Sequence, residues 1–236
     1  MDDLLELLQG RADVVELDRA ALELASLEHP GLKPEPYLEL LDSHAAELAV
    51  RLRGGAGGRL FLQTLNEYLF SELGFAGNTA NYYDPANSCL NDVLTARLGI
   101  PITLSLVHME IARRLGKSVR GIGLPGHFVV RYDDGLFSAY VDPFHAGRLL
   151  TAEQCFELSS QSAGRAAARD PQLLAPVTKR QILVRMLFNL RGVYRMRGSH
   201  GKRLQVLKLL IAAHPGESGE LQKEARDLKR QLARLN

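Results

Sequence analysis

Every strand-like stretch in this chain of 236 residues falls in one window, and helical periodicity occupies both flanks. Ser118–Leu124, Phe128–Tyr132 and Leu136–Val141 have strand patterning, and Asp133-Asp134-Gly135 between the last two is a hairpin turn signal. A block of helices followed by one cluster of strands and more helices predicts an α+β fold with a small antiparallel sheet.

The flanks divide into recognisable helices. Leu4, Leu5, Leu7 and Leu8 open a short one that Gly10 closes, and Val14 to Leu27 continues until His29-Pro30 stops it. Pro36 stands near the start of a long amphipathic helix to Leu52, and the Gly54–Gly58 run is a joint. Leu60–Leu73 forms another helix, with Gly74 in the usual C-terminal place. The Gly, Asn, Tyr and Pro-rich stretch from Phe75 to Ala86 predicts an ordered loop, because Phe75, Tyr82 and Tyr83 favour burial. Asn87-Ser88 offers N-caps for a helix over Cys89–Leu98, and Pro101 occupies the favoured first position of the next, which Gly116 ends. A short helix over 151–158 and a loop over 159–177 precede an all-helical tail.

Charge separates that tail from the body. Residues 1–178 carry 15 Lys/Arg against 23 Asp/Glu, whereas residues 179–236 carry 14 against 4. The domain division is therefore expected near 177/178. The tail is expected to dock on the acidic body, and its basic face could also meet an acidic partner surface. Nucleic acid is not an expected partner, because the tail has few aromatics and no recognised nucleic-acid motif. No apolar run approaches the ~18 residues that a membrane span requires. The acidic start, Met1-Asp2-Asp3, is unlike a secretory signal, and two cysteines make neither a disulfide framework nor a four-cysteine zinc site. A reducing cytoplasm and no membrane are the expectation, with no cofactor and no metal.

The residues able to carry chemistry stand in order. A helix begins after Gly99-Ile100, His127 stands at the start of a strand, and Asp142-Pro143 ends one. His127 and Asp142 are separated by one hairpin, so adjacent strands would bring the carboxylate to the imidazole, as in a cysteine-type triad. Cys89, at a predicted helix N-terminus, is the thiol available to such a triad; its alternative role is a small buried hydrophobe. Cys155 lies on a peripheral helix. His108-Met109-Glu110 mimics half of a deaminase zinc motif, but no Pro-Cys-x-x-Cys follows. His127, Asp142 and His145 have ligand chemistry, yet three ligands across a hairpin are a weak metal signal.

The stretches Tyr83-Asp84-Pro85-Ala86-Asn87-Ser88-Cys89-Leu90-Asn91-Asp92-Val93-Leu94, Gly99-Ile100-Pro101-Ile102-Thr103-Leu104-Ser105, Gly121-Ile122-Gly123-Leu124-Pro125-Gly126-His127-Phe128 and Asp142-Pro143-Phe144 resemble the SirB-type transglutaminase-like family. That is a bacterial family with a related module in some eukaryotic F-box proteins. The resemblance implies a transglutaminase-like, papain-related core. It carries His127 and Asp142 over as the His and Asp of the pattern and places Pro101 where the nucleophilic Cys would stand. In the tail, Val184, Leu187, Leu190, Tyr194, Leu207 and Pro215 fall on tetratricopeptide-type positions, while Arg191 and Arg203 stand where small residues are expected. The implied function is a catalytically altered, pseudoenzyme-like module that binds an unknown protein or peptide. The alternative is a cysteine hydrolase or acyltransferase using Cys89, His127 and Asp142.

Overall fold

The computed structural model describes residues 2–10, 16–52, 56–164, 169–214, 216 and 218–234. Val14, Gly54, Gly55 and Pro215, named above, lie outside the described residues. The helices α1 (Asp2–Leu8), α2 (Leu17–Ala25) and α3 (Glu35–Arg51) come first. α4 (Gly58–Asn66) runs directly into a wider π turn over Glu67–Glu72. The two-residue strands β1 (Ala76–Gly77) and β2 (Leu98–Gly99) pair in parallel and bracket α5 (Leu90–Ala96). α6 (Pro101–Arg114) leads into β3 (Val119–Ile122), β4 (Val129–Asp133), β5 (Ser138–Asp142) and β6 (Arg148–Leu150), an antiparallel sheet in chain order. α7 (Ala152–Ala163) follows, then the tail helices α8 (Lys179–Met196), α9 (His200–Ala213) and α10 (Gly219–Ala233). The architecture is α+β, as the patterning predicts.

Local chemistry explains where elements begin and end. Pro101 starts α6 because its missing N–H would have no helical partner there anyway. The Thr103 hydroxyl bonds back to the Ile100 N–H at 3.1 Å and donates to the Asn87 carbonyl at 2.7 Å. α5 stops at Ala96, two residues before the expected end, because Arg97 takes a left-handed conformation (φ 58°). That reversal frees Leu98 and Gly99 to pair with Ala76 and Gly77. α7 extends past the expected residue 158 as far as Ala163, with Thr151 and Gln154 forming a capping box at its start.

α6 is buried continuously from Pro101 to His108. A helix buried around nearly its whole circumference sits in the middle of a core. α3, α5, β3, β4 and the turn at 143–145 surround it. The sheet has two covered faces: Val130, Tyr132 and Val141 join the main core, whereas Ile122, Val129 and Leu150 pack with Cys155 and Phe156 of α7. Strand alternation produces this division.

The polar groups on α6 all need an answer. His108 is fully buried, donates from Nε2 to Asn66 Oδ1 at 3.1 Å, and is pushed down to about 3 by burial, so it is neutral. Glu110 receives Arg113 at 2.8 Å and Arg114 at 3.0 Å, and Arg114 also binds the buried Asp18 at 2.6 Å. Burial and the Asp18 charge push Glu110 up to about 7.

The tail shares the main core. Ile182, Leu183, Met186, Leu187, Leu190 and Tyr194 are buried in the same cluster as α1, α2 and α6. Arg191 and Arg203, at the positions that break the repeat pattern, both bind Glu224 of α10. Lys202 reaches Glu28 at 2.6 Å, and Arg197 reaches Asp84 at 3.5 Å, so part of the tail's positive charge is answered by the acidic body.

Two measurements test this packing. Leu187→Ala should cost about 3 kcal/mol in urea unfolding, as a buried Leu truncation does, whereas Phe188→Ala, at an exposed neighbour, should stay within about 0.5 kcal/mol. Both should unfold in a single transition; a separate tail transition would contradict a shared core. The second concerns Glu110, whose folded pKa lies above its unfolded value. Its stabilising contribution is complete below the unfolded value of about 4.3 and is lost as pH rises through about 7. The wild type should therefore lose stability relative to Glu110→Gln over that window, and a pH-independent difference would contradict the assignment.

Candidate functional site

His127 sits in the turn between β3 and β4, just upstream of the strand. Pro125-Gly126 builds that turn, and Gly126 takes a left-handed conformation (φ 72°). The His127 N–H donates to the Leu124 carbonyl at 3.2 Å. Asp142 ends β5, where the register Val130↔Val141 sets it across from the start of β4. The His127 Nε2 to Asp142 Oδ1 distance is 3.0 Å, and both residues are buried. His145, three residues on, places Nδ1 2.7 Å from Asp142 Oδ2. The backbone N–H groups of Phe144 and His145 also donate to Asp142 Oδ1, at 3.1 and 3.3 Å.

This arrangement defines protonation. Burial alone would raise the Asp142 pKa, but the bonds and charges of His127 and His145 outweigh it and hold the carboxyl below its usual range. An ionised carboxylate only accepts, so His127 Nε2 and His145 Nδ1 carry the protons. In a neutral His127 the lone pair then sits on Nδ1, as in an oriented general base.

Neighbouring residues fix the turn. The Phe144 ring meets His127 edge-on at 5.9 Å and Tyr82 at 6.1 Å. A Cβ at Gly77 would stand 2.6 Å from the Phe144 ring, so β1 approaches Phe144 this closely only as glycine. Asn66 donates to the Gly147 carbonyl at 2.8 Å and ties the 143–147 segment to the end of α4. Arg185 of α8 donates to the His127 carbonyl at 2.6 Å and lies over the Phe128 ring. Arg185 carries no sequence signal for this role: it is 58 residues from His127 and matches no motif.

The thiol is elsewhere. Cys89, the N-cap of α5, is completely buried and clusters with His29 and Asp92 rather than with His127. Burial, then the carboxylates of Asp92 and Glu28, push its pKa up, opposite to an activated nucleophile. Cys155 is also buried, and burial pushes it up to about 12. At the start of α6 the side chains are Pro101, Ile102, Thr103 and Leu104, and the Thr103 hydroxyl is committed to backbone carbonyls.

Beside this helix start, Tyr82, Tyr83, Ser88 and Ile100 face Phe188, Val193 and Met196 of α8 across a cleft of about 330 Å³. Tyr82, Tyr83, Phe188 and Met196 are among the few large apolar side chains left exposed. Arg195 lines the same cleft, and Arg191 lies over the Phe188 ring. The chain of rings from Tyr83 through Tyr82 and Phe144 to His127 connects the cleft to the buried dyad.

A fold in which a helix start, a His and an Asp occupy these places is the transglutaminase type. The family model described as transglutaminase-like superfamily matches residues 35–188, and the chain belongs to that superfamily. It is 41% identical over 187 residues to a UPF0162 protein of Xylella fastidiosa, covering 77% of this chain and 66% of that protein. A UPF0162 protein of Pseudomonas aeruginosa is 31% identical over 92% of this chain and 78% of its own length. Human F-box only protein 21 is 32% identical over 70% of this chain, a match that occupies 27% of the F-box protein. No solved structure matches. Among the described residues no helix is long and apolar enough to cross a membrane.

The geometry at Cys89 has a direct consequence for its reactivity. Iodoacetamide should label Cys89 at neutral pH no faster than an unactivated thiol of pKa about 8.5. Peptide mass spectrometry resolves it from Cys155. His127→Ala should leave the rate unchanged. Rapid labelling that collapses in His127→Ala would reveal a working thiol–imidazole pair.

Proposed function

We propose that this protein is a catalytically altered transglutaminase-like module that binds a protein or peptide segment in the cleft between the 82–88 loop and α8. The observation that carries this reading is the concentration of exposed Tyr82, Tyr83, Phe188 and Met196 around one cleft beside the start of α6. Exposed apolar side chains scattered singly need no explanation, but four lining one concavity resemble the core of a binding interface. Arg195 and the basic surplus of residues 179–236 favour an acidic segment with an apolar anchor.

The same reading gives the other parts their roles. His127 and Asp142 hold the β3–β4 turn and, through Phe144, the floor beneath Tyr82. Residues 178–236 serve as a degenerate tetratricopeptide-type helical unit that supplies one wall of the cleft and leans on the body for its stability. Pro101 at the nucleophile position and the raised Cys89 thiol support binding without acyl transfer.

Panning of a displayed random-peptide library on the full chain tests this. Enriched sequences should combine Asp or Glu with a large apolar residue. Phe188→Asp should weaken a selected synthetic peptide by at least about tenfold, equivalent to about 1.4 kcal/mol, with an unchanged circular dichroism spectrum. Enrichment that survives Phe188→Asp and Met196→Asp unchanged would reject the cleft. Covalent capture of a peptide ester by Cys89 would instead favour a cysteine hydrolase or acyltransferase.

A further inference from the structure

A second cluster of chemistry-bearing side chains lies apart from His127 and Asp142. His29 stands in the turn after α2, its N–H bonded to the Ala25 carbonyl at 3.0 Å. Cys89 and Asp92 occupy the N-cap and third positions of α5. One ligand atom from each of the three residues lies within 4.8 Å of the other two, and His29 Nε2 is 2.7 Å from Asp92 Oδ2. Three separate donors from two parts of the chain, a sulfur, an imidazole and a carboxylate, thus converge on one point.

We propose that His29, Cys89 and Asp92 form a binding site for a divalent cation of the zinc class. Donors around such an ion sit about 2.0–2.3 Å from it in a tetrahedron, which sets them roughly 3–4 Å apart. From 2.7 Å the imidazole and carboxylate would separate by up to about 1 Å, and the sulfur, within 4.8 Å of both, would draw in to match. A thiolate with an imidazole selects zinc or cobalt over calcium and magnesium, which prefer oxygen alone. Three protein ligands leave a fourth position for water. His29 and Asp92 keep 42% and 25% of their side chains exposed, which gives the ion a path in.

Its surroundings also favour a cation. The carboxylates of Asp92, Glu28 and Asp84 lie around the thiol, and Lys202 is paired with Glu28 at 2.6 Å. Near the thiol, the buried Tyr194 hydroxyl faces the Glu28 carboxylate. The His127–Asp142–His145 cluster differs here. Asp142 already accepts four hydrogen bonds, whereas Asp92 accepts one side-chain bond on each oxygen, from Asn91 at 3.0 Å and from His29. Binding exchanges the His29–Asp92 hydrogen bond and the Cys89 S–H for metal bonds. The thiol proton leaves to solvent, and the ring proton of His29 moves to its other nitrogen. One proton is released per ion, so affinity rises with pH.

The test is a titration of the reduced, metal-free full chain with Co²⁺, followed by Zn²⁺. One equivalent of Co²⁺ should raise a near-ultraviolet sulfur-to-metal charge-transfer band, which Zn²⁺ should remove. Cys89→Ser should abolish the band, and Cys155→Ser and His127→Ala should keep it. Asp92→Asn preserves side-chain shape and should weaken binding by at least about tenfold while the chain stays folded by circular dichroism. Zn²⁺ should raise the Tm of the wild type but not of Cys89→Ser. No band at about a tenfold excess of Co²⁺, a band that persists in Cys89→Ser, or unchanged affinity in Asp92→Asn would each overturn the proposal.

Discussion

The burial of α6 on every side governs the rest of the structure. A helix with so little solvent face makes its polar groups depend on protein partners, because an unpaired buried donor or charge costs several kcal/mol (about 1–3 for a neutral group, more for an ion). Several polar residues on α6 therefore find partners, on α6 itself or on other elements, whereas the buried Ser105 hydroxyl has none. Thr103 draws in the Asn87 carbonyl, His108 draws in Asn66, and Glu110 with Asp18 draws in Arg113 and Arg114. These contacts set the 87–89 segment, the end of α4 and α2 around one axis. Asn66 then passes the constraint on to Gly147, and so to the segment that carries Asp142 and His145.

Much of this was legible in the sequence. Proline at 101, glycine after the helices and the Asp-Asp-Gly hairpin mark boundaries by local backbone chemistry, and the same chemistry acts in the fold. The pairing of His127 with Asp142 followed from the hairpin spacing together with the motif match. The parts that were not legible depend on distant contacts. The two-residue pair β1–β2 has no periodicity to read, and it exists because Arg97 reverses the chain and Gly77 admits the Phe144 ring. β6 is three residues long and owes its identity to its neighbour β5. Arg185 acts on a carbonyl rather than on a side chain, so no residue type at position 127 could have announced it.

The apparent electrostatic independence of the tail has a similar explanation. Counted along the sequence, residues 179–236 are a basic block. In space, Glu28, Glu16 and Asp84 of the body and Glu224 of α10 meet several of those charges. Sequence counting separates charges that folding brings together, whereas the apolar residues of α8 join the body's core without any such mark. The cleft arises where that joining is incomplete, along the side of α8 that carries Phe188 and Met196.

The row of rings from Tyr83 to His127 has one more consequence. Aromatic faces shift the magnetic environment of protons held against them, and His127 has the edge of Phe144 on one side and the His145 ring stacked at 5.7 Å on the other. Any movement of Tyr82 that tilts Phe144 would change the field at the buried imidazole. Its carbon-bound protons are therefore a built-in spectroscopic gauge of the surface several side chains away.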